Sequence, residues 1–243
     1  MCFHANFKEK VEKLEKKLGV ELPQQILRDL FNIPQYHLNG FAHPNMLVIP
    51  QQFPKLLVPA VWGIVPQNKT SKQIKEYYKE SVGYGGGLNA RSEKLFNHFI
   101  YKKVVSTQRC IIPVSGFFEP HEYLKKKYPF YVHRADNEPL IFAGIYTVID
   151  TYVTFSILTT KASLLLAKVH NSKKRQPVML QDHQVSLWLS NQLDSNAINQ
   201  IIETPLPDNM LEAYPVSKAL FSPKEDSNIK SITNKASYSE LAS

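Results

Sequence analysis

The chain has 243 residues, 43% hydrophobic and 11% aromatic, with a formal net charge of +8 at pH 7. That composition builds a sizeable core and excludes a disordered chain; two cysteines exclude a disulfide-stapled scaffold, and apolar runs such as Leu140 to Tyr146 are too short to span a bilayer. The basic excess suits a polyanionic partner such as nucleic acid, and a charged helix-like segment soon after Met1 in place of a signal peptide predicts a soluble, cytoplasmic protein.

The chain opens on Met1-Cys2. Removal of Met1 makes Cys2 a free aminothiol, with a thiol of ordinary pKa about 8.5 and an α-amine of about 8. The amine forms a Schiff base with an aldehyde, and the thiol closes on that imine to give a thiazolidine. Position alone argues only for a tolerant chain end.

Phe7, Val11, Leu14 and Leu18 share one helical face, with Gly19 placed as a stop. A second helix is expected from Pro23 to about Phe31, followed by proline-rich loops and short strands to residue 60. Met46 to Ile49, Leu56 to Val58 and Val61 to Val65 read as strands, and Lys69 to Glu80 as a helix. The glycine cluster Gly83-Tyr84-Gly85-Gly86-Gly87 lacks the Lys-Ser/Thr of a phosphate loop and reads as a flexible approach to Asn89 and Arg91.

From Arg109 onward the pattern is β. Ile111 to Val114 and Phe117 to Glu119 flank a Ser115-Gly116 turn signal, and residues 129–132, 140–146 and 153–159 have strand length and composition. Ser163 to His170 is a predicted helix, Pro177 to Leu180 a return strand, and Val185 to Leu189 the start of a closing helix. Beyond Phe221 the composition is polar and predicts a mobile tail over 222–243. Strands and helices that do not alternate give an α+β class, with a mixed, mainly antiparallel barrel-like β core and peripheral helices in one domain over 1–221.

Several segments together resemble the SOS response-associated peptidase (SRAP) family of abasic-site processing proteins. They are Met1-Cys2, Trp62-Gly63-Ile64-Val65-Pro66, Asn89-Ala90-Arg91-Ser92-Glu93, Arg109-Cys110-Ile111-Ile112-Pro113 and Gly116-Phe117-Phe118-Glu119, followed by Phe142-Ala143-Gly144, Leu158-Thr159-Thr160, and His170 with Arg175 to Leu180. The resemblance implies a protein that binds abasic sites in single-stranded DNA and cross-links to them through Cys2, with self-processing peptidase and lyase-type chemistry and without a cofactor. It implies Cys2 as nucleophile, Asn89 as an uncharged positioning group, Glu119 as proton shuttle, and His170 as the group that helps open the sugar. Arg91 and Arg175, with Lys173 and Lys174, would hold phosphate, and Trp62 would stack on or wedge against a base. The chain departs from the family pattern at Phe3-His4, at Pro120 and in the longer spacing from His170 to Arg175.

Two other classes stay open at this level. One is an N-terminal-nucleophile amidohydrolase or peptidase; the other is a non-catalytic single-stranded DNA-binding module, whose binding would depend on salt and ignore Cys2. Cys2, His4, His37 and His43 have no paired ligand spacing, so no metal site is read from them. A monomer is expected.

Overall fold

The computed structural model describes residues 2–241. Its elements in chain order begin with β1 (His4–Phe7), α1 (Val11–Leu18), α2 (Gln25–Phe31), β2 (Gln35–Asn39), β3 (Asn45–Pro50) and β4 (Val58–Trp62). They continue with α3 (Ile74–Ser81), β5 (Asn89–Arg91), α4 (Tyr101–Val104), β6 (Arg109–Val114), β7 (Gly116–Tyr123) and β8 (Lys126–Arg134). The remainder are β9 (Leu140–Ile149), β10 (Tyr152–Lys161), α5 (Leu164–Val169), β11 (Arg175–Pro177), α6 (Gln184–Trp188), α7 (Ser195–Glu203) and β12 (Leu211–Pro215).

Five strands close on themselves. In order they are β10, β4, β3, β6 and β9, with β9 pairing back to β10. The β10–β4 pair is parallel and the other four pairs are antiparallel, so the barrel is mixed. This is the α+β, barrel-like core expected from the pattern. Closure leaves these strands no free edge, and small barrels fill with side chains. Here the filling includes Ile112, Phe142, Phe155 and Trp62, all fully buried.

A second antiparallel sheet runs β12-β8-β7-β1-β2. The chain passes between the two sheets at Ser115, so β6 and β7 belong to different sheets and form no hairpin. The Ser115-Gly116 signal thus marks a corner. A Cβ at Gly116 would lie 2.6 Å from the Tyr131 ring, so only glycine fits where β7 turns under β8.

The start of the chain lies inside this second sheet. β1 pairs with β2 on one side and β7 on the other. An N-terminal strand held on both edges is ordered, unlike an ordinary chain end.

Helix α1 ends as its sequence predicts: Gly19 adopts φ 63 and donates its N–H to the Glu15 carbonyl. Arg109 is a structural residue that the strand pattern conceals. Its fully buried guanidinium donates to the carbonyls of Val105, Ser106, Trp188 and Ser190, tying the ends of α4 and α6 to the barrel. Burial lowers its pKa to about 10.

Residues 222–241 are packed, which corrects the expectation of a mobile tail over the described part of that segment; 242–243 lie outside the described residues. Ile232 is 1% exposed and joins Phe118, Tyr131, Val216 and Leu220 in a small core on the outer face of the second sheet. Asn228 accepts from the Tyr36 N–H at 2.7 Å, and the Tyr238 hydroxyl donates to the Val216 carbonyl at 2.7 Å. One large apolar side chain and a few polar anchors are enough to dock a segment whose average composition is hydrophilic. Among the described residues no helix is long and apolar enough to cross a membrane.

Candidate functional site

Cys2 enters the site one residue before the phenylalanine whose carbonyl accepts from Gly40 N–H at 2.8 Å. Its side chain is fully buried, with Sγ 3.8 Å from the His4 carbonyl. Burial, and next the nearby Glu119 charge, push the thiol well above its ordinary pKa. The thiol is therefore protonated at neutral pH.

Asn89 reaches Cys2 from the barrel. Its Nδ2 donates to the Cys2 carbonyl at 2.8 Å. The preceding glycines make this reach possible. The chain closes against Ile64, whose N–H donates to the Gly87 carbonyl, and a Cβ on Gly87 would fall 2.5 Å from the Ile64 carbonyl oxygen. Gly87 also has φ 69, a region open mainly to glycine. The glycine cluster is thus a close-packed turn that delivers β5 alongside β10, where Asn89 pairs with Ile157. Asn89 Oδ1 is buried without a hydrogen-bond partner among the described residues.

Glu119 lies on β7, directly beside β1 through the His4–Phe118 pairing. It is 0% exposed, and burial raises its carboxyl to about 8. His170 caps the C-terminus of α5 and is also buried. Its Nδ1 lies 3.1 Å from Glu119 Oε2, and burial lowers its pKa to about 4. Desolvation disfavours a charge on either member, so the acid keeps its proton and the imidazole stays neutral near pH 7.

Residues that the sequence reading missed hold this pair together. Asn171 accepts from the Glu122 N–H at 2.9 Å and donates to the Glu122 carbonyl at 2.8 Å, while His121 bonds the Lys168 carbonyl at 2.9 Å. These contacts staple the end of α5 to β7. At its other end, the Ser163 hydroxyl caps the helix and bonds Asp208. An Asn directly after a predicted helix end is the only local signal for the staple.

Glu119 and His170 open onto a cavity of about 790 Å³ that Phe3, His4 and Phe221 also line. Lys127, Lys173 and Lys218 line it as well, which gives the opening a positive rim. Lys173 was expected there. Lys127 was not, because the run Lys125-Lys126-Lys127 reads as a solvated face, and Lys218 carries no local signal at all. Lys174 is exposed in a left-handed turn at φ 50. Arg91 is exposed, two residues from Asn89 on the same face of β5.

Two expected DNA contacts are corrected. Trp62 is 0% exposed, its indole N–H donates to the Leu88 carbonyl at 2.9 Å, and its ring lies parallel to Phe155. No face of it is available to a base; it supports the turn before Asn89 from inside. Arg175 is buried and bidentate to Glu93, and it also donates to the Thr159 carbonyl at 2.7 Å. Its fork is consumed internally, so it does not extend a phosphate track. Among the described residues, no three His, Cys, Asp or Glu side chains come together in a geometry that could hold a metal ion.

Comparison with known proteins identifies the family and the fold. Residues 1–223 match the SOS response associated peptidase (SRAP) family. The abasic site processing protein YoqW of Bacillus subtilis is 30% identical over 212 residues, covering 81% of this chain and 89% of its own. The abasic site processing protein YedK of Escherichia coli is 28% identical over 138 residues, 55% of this chain and 61% of its own. A solved protein from Bacteroides thetaiotaomicron superposes with a TM-score of 0.84 at 26% identity, over 97% of this chain and 100% of its own. Sequence and fold thus agree over nearly the whole length, and the chain belongs to the SRAP family.

Proposed function

We propose that the protein processes abasic sites in single-stranded DNA by cross-linking to them through Cys2 once Met1 has been removed. The observation that carries the reading is that Cys2, held by Asn89, lies close enough to Glu119 to feel its charge, while Glu119 pairs with His170 and both line one positively rimmed cavity. The names of the related proteins, all abasic site processing proteins, point the same way.

The ring-opened abasic sugar offers an aldehyde. The Cys2 α-amine, stripped of one proton, attacks the carbonyl carbon to give a carbinolamine. Glu119, held protonated by burial, gives its proton to the departing hydroxyl, water leaves, and the nitrogen proton returns to the Glu119 carboxylate as the imine forms. The Cys2 thiol then adds across the C=N bond: sulfur bonds to carbon and the thiol proton ends on nitrogen. Because burial keeps the thiol protonated, the amine acts first and the thiol traps. Asn89 fixes the Cys2 carbonyl and hence the orientation of both nucleophiles. His170, neutral beside Glu119, takes and returns the proton during sugar opening and reversal. A lyase step would depart from the same imine. Arg91 and the rim lysines hold flanking phosphates. The peptidase character of the family fits self-processing at Met1-Cys2.

Intact mass of the purified protein, before and after incubation with a single-stranded oligonucleotide carrying one abasic site, tests this reading. Loss of Met1 and an adduct one water lighter than the sum of its parts is expected. Retained Met1 without an adduct overturns it and favours non-covalent DNA binding.

A further inference from the structure

Two histidines outside the catalytic cluster form a continuous chain with the packed C-terminal segment. His4 Nδ1 lies 2.8 Å from His37 Nε2, and His37 Nδ1 lies 2.6 Å from the Ser227 hydroxyl. His37 offers opposite nitrogens to His4 and Ser227, so the two hydrogen bonds run in series. His4 lines the cavity shared by Glu119 and His170, and it also borders, with His37 and Ser227, an adjoining cavity on the outer face. Rings pack around the pair: Phe221 lies 5.5 Å from His4, and the Phe118 edge 5.8 Å from His37. Burial holds each histidine at about 4, with His37 a second cause for His4. Two neutral imidazoles between apolar rings hold no fixed charge.

From this geometry we infer that His4, His37 and Ser227 form a proton relay between the cross-linking cavity and solvent. The inference rests on the proposed cross-linking reaction, which creates the need for it. The α-amine has an ordinary pKa of about 8, so most of it is ammonium at neutral pH and must shed one proton before attack. In one tautomeric state His4 Nδ1–H donates to His37 Nε2, and His37 Nδ1–H donates to Ser227 Oγ, which leaves His4 Nε2 with a lone pair. His4 Nε2 takes the proton from the cavity. The Nδ1 proton passes to His37 Nε2, the His37 Nδ1 proton passes to Ser227 Oγ, and the serine hydroxyl proton leaves to water. Each N–H or O–H bond broken is matched by one formed, and no residue ends charged. The reverse shift returns one proton to the cavity when the cross-link is undone.

Other ionisable groups face this chain and set its field. On the cavity side they are Glu119, His170, Glu122, Lys127, Lys173 and Lys218; on the outer side they are Glu225 and Asp226. A positive rim inside and carboxylates outside favour outward passage of a proton.

The test measures single-turnover cross-linking to an abasic single-stranded oligonucleotide across pH 5 to 9, with DNA affinity measured separately by anisotropy. His37→Ala is expected to slow cross-linking about tenfold near pH 7 without changing affinity, and Ser227→Ala about threefold. Added imidazole should restore most of the His37→Ala rate. His37→Gln, which keeps a hydrogen bond but cannot pass a proton, should be slow and unrescued, and guards against a folding defect in the alanine variant. If wild type and all three variants cross-link at rates within twofold, the relay is overturned and the cross-linking reading stands. If His37→Ala is slow but imidazole restores nothing, the pair is structural and the relay is overturned. If the wild type forms no adduct, the cross-linking reading fails and takes the relay with it.

Discussion

Glu119 Oε2 and His170 Nδ1 face each other across 3.1 Å, both buried, 51 residues apart in the chain and on different elements. An exposed Glu–His pair would be a carboxylate and a partly protonated imidazole. Here burial raises the acid to about 8 and lowers the base to about 4, so both are held neutral. The pair therefore presents a proton donor beside a proton acceptor without a net charge, which suits imine formation from a neutral amine.

Glu119→Gln should slow cross-linking by a factor on the order of 10² to 10⁴ while leaving binding to abasic DNA within a few-fold of wild type. Single-turnover rates by gel shift, with affinity by anisotropy, check this. An unchanged rate would remove Glu119 from the proton-transfer path.

The same pair makes stability depend on pH. A carboxyl whose folded pKa is raised contributes less stability as pH rises from about 4.5 to 8, because the folded state binds the extra proton there. A histidine lowered from 6.5 to about 4 acts in the opposite sense, and stability rises with pH through that window. His4, His37 and His170 all do this. Thermal melts should therefore show a Tm that rises from pH 4 to 6.5 and falls from 6.5 to 8. Glu119→Gln should abolish the fall and leave the rise.

Cys2→Ala and Cys2→Ser, which keep the α-amine but lose the thiol, should form no stable adduct on their own, only an imine that borohydride makes permanent. Intact mass with and without borohydride separates an imine from a stable adduct. A durable adduct on Cys2→Ala without borohydride would place the nucleophile elsewhere.

Arg91 and Arg175 should behave as opposites. Arg91→Ala, at an exposed position beside the site, should weaken DNA binding and reduce the salt slope by about one. Arg175→Ala should leave the slope unchanged but destabilise the fold by about 1–3 kcal/mol, since it strips the Thr159 carbonyl and Glu93 of their donor. Salt titrations of affinity and denaturant melts read these effects separately.

Trp62→Ala should cost about 3–5 kcal/mol in denaturant unfolding, as for a large buried aromatic. Trp62→Phe should cost less and retain cross-linking. A large loss of DNA affinity in a fully folded Trp62→Phe protein would contradict the internal role assigned to this ring.

Local periodicity marks local structure well. Of the spacing Phe7, Val11, Leu14 and Leu18, the last three and the αL glycine after them are helix and stop, because these depend only on neighbours in the chain, whereas Phe7 ends β1, where the sheet overrides the helical period. The β-branched and aromatic runs after Arg109 became β6 to β10 for the same reason. Partner choice was not legible. Ser115-Gly116 carries a turn signal but joins two sheets, because the strands on either side find partners far away in sequence. The polar residues after Phe221 predict mobility, but Ile232 fills a pocket that only the assembled sheet creates. Trp62 and Arg175 illustrate the same limit: an aromatic and an arginine suit DNA by type, and only burial shows that their binding faces are already used.

The sequence by itself determined the chemistry available to this protein. An aminothiol exposed by loss of Met1, an amide, a carboxyl and an imidazole are properties of residue types, and they need no fold to be named. Only the tertiary structure decided their protonation. The barrel and its second sheet remove water from Cys2, Glu119 and His170, and desolvation is a property of the surroundings that no residue carries in its own side chain.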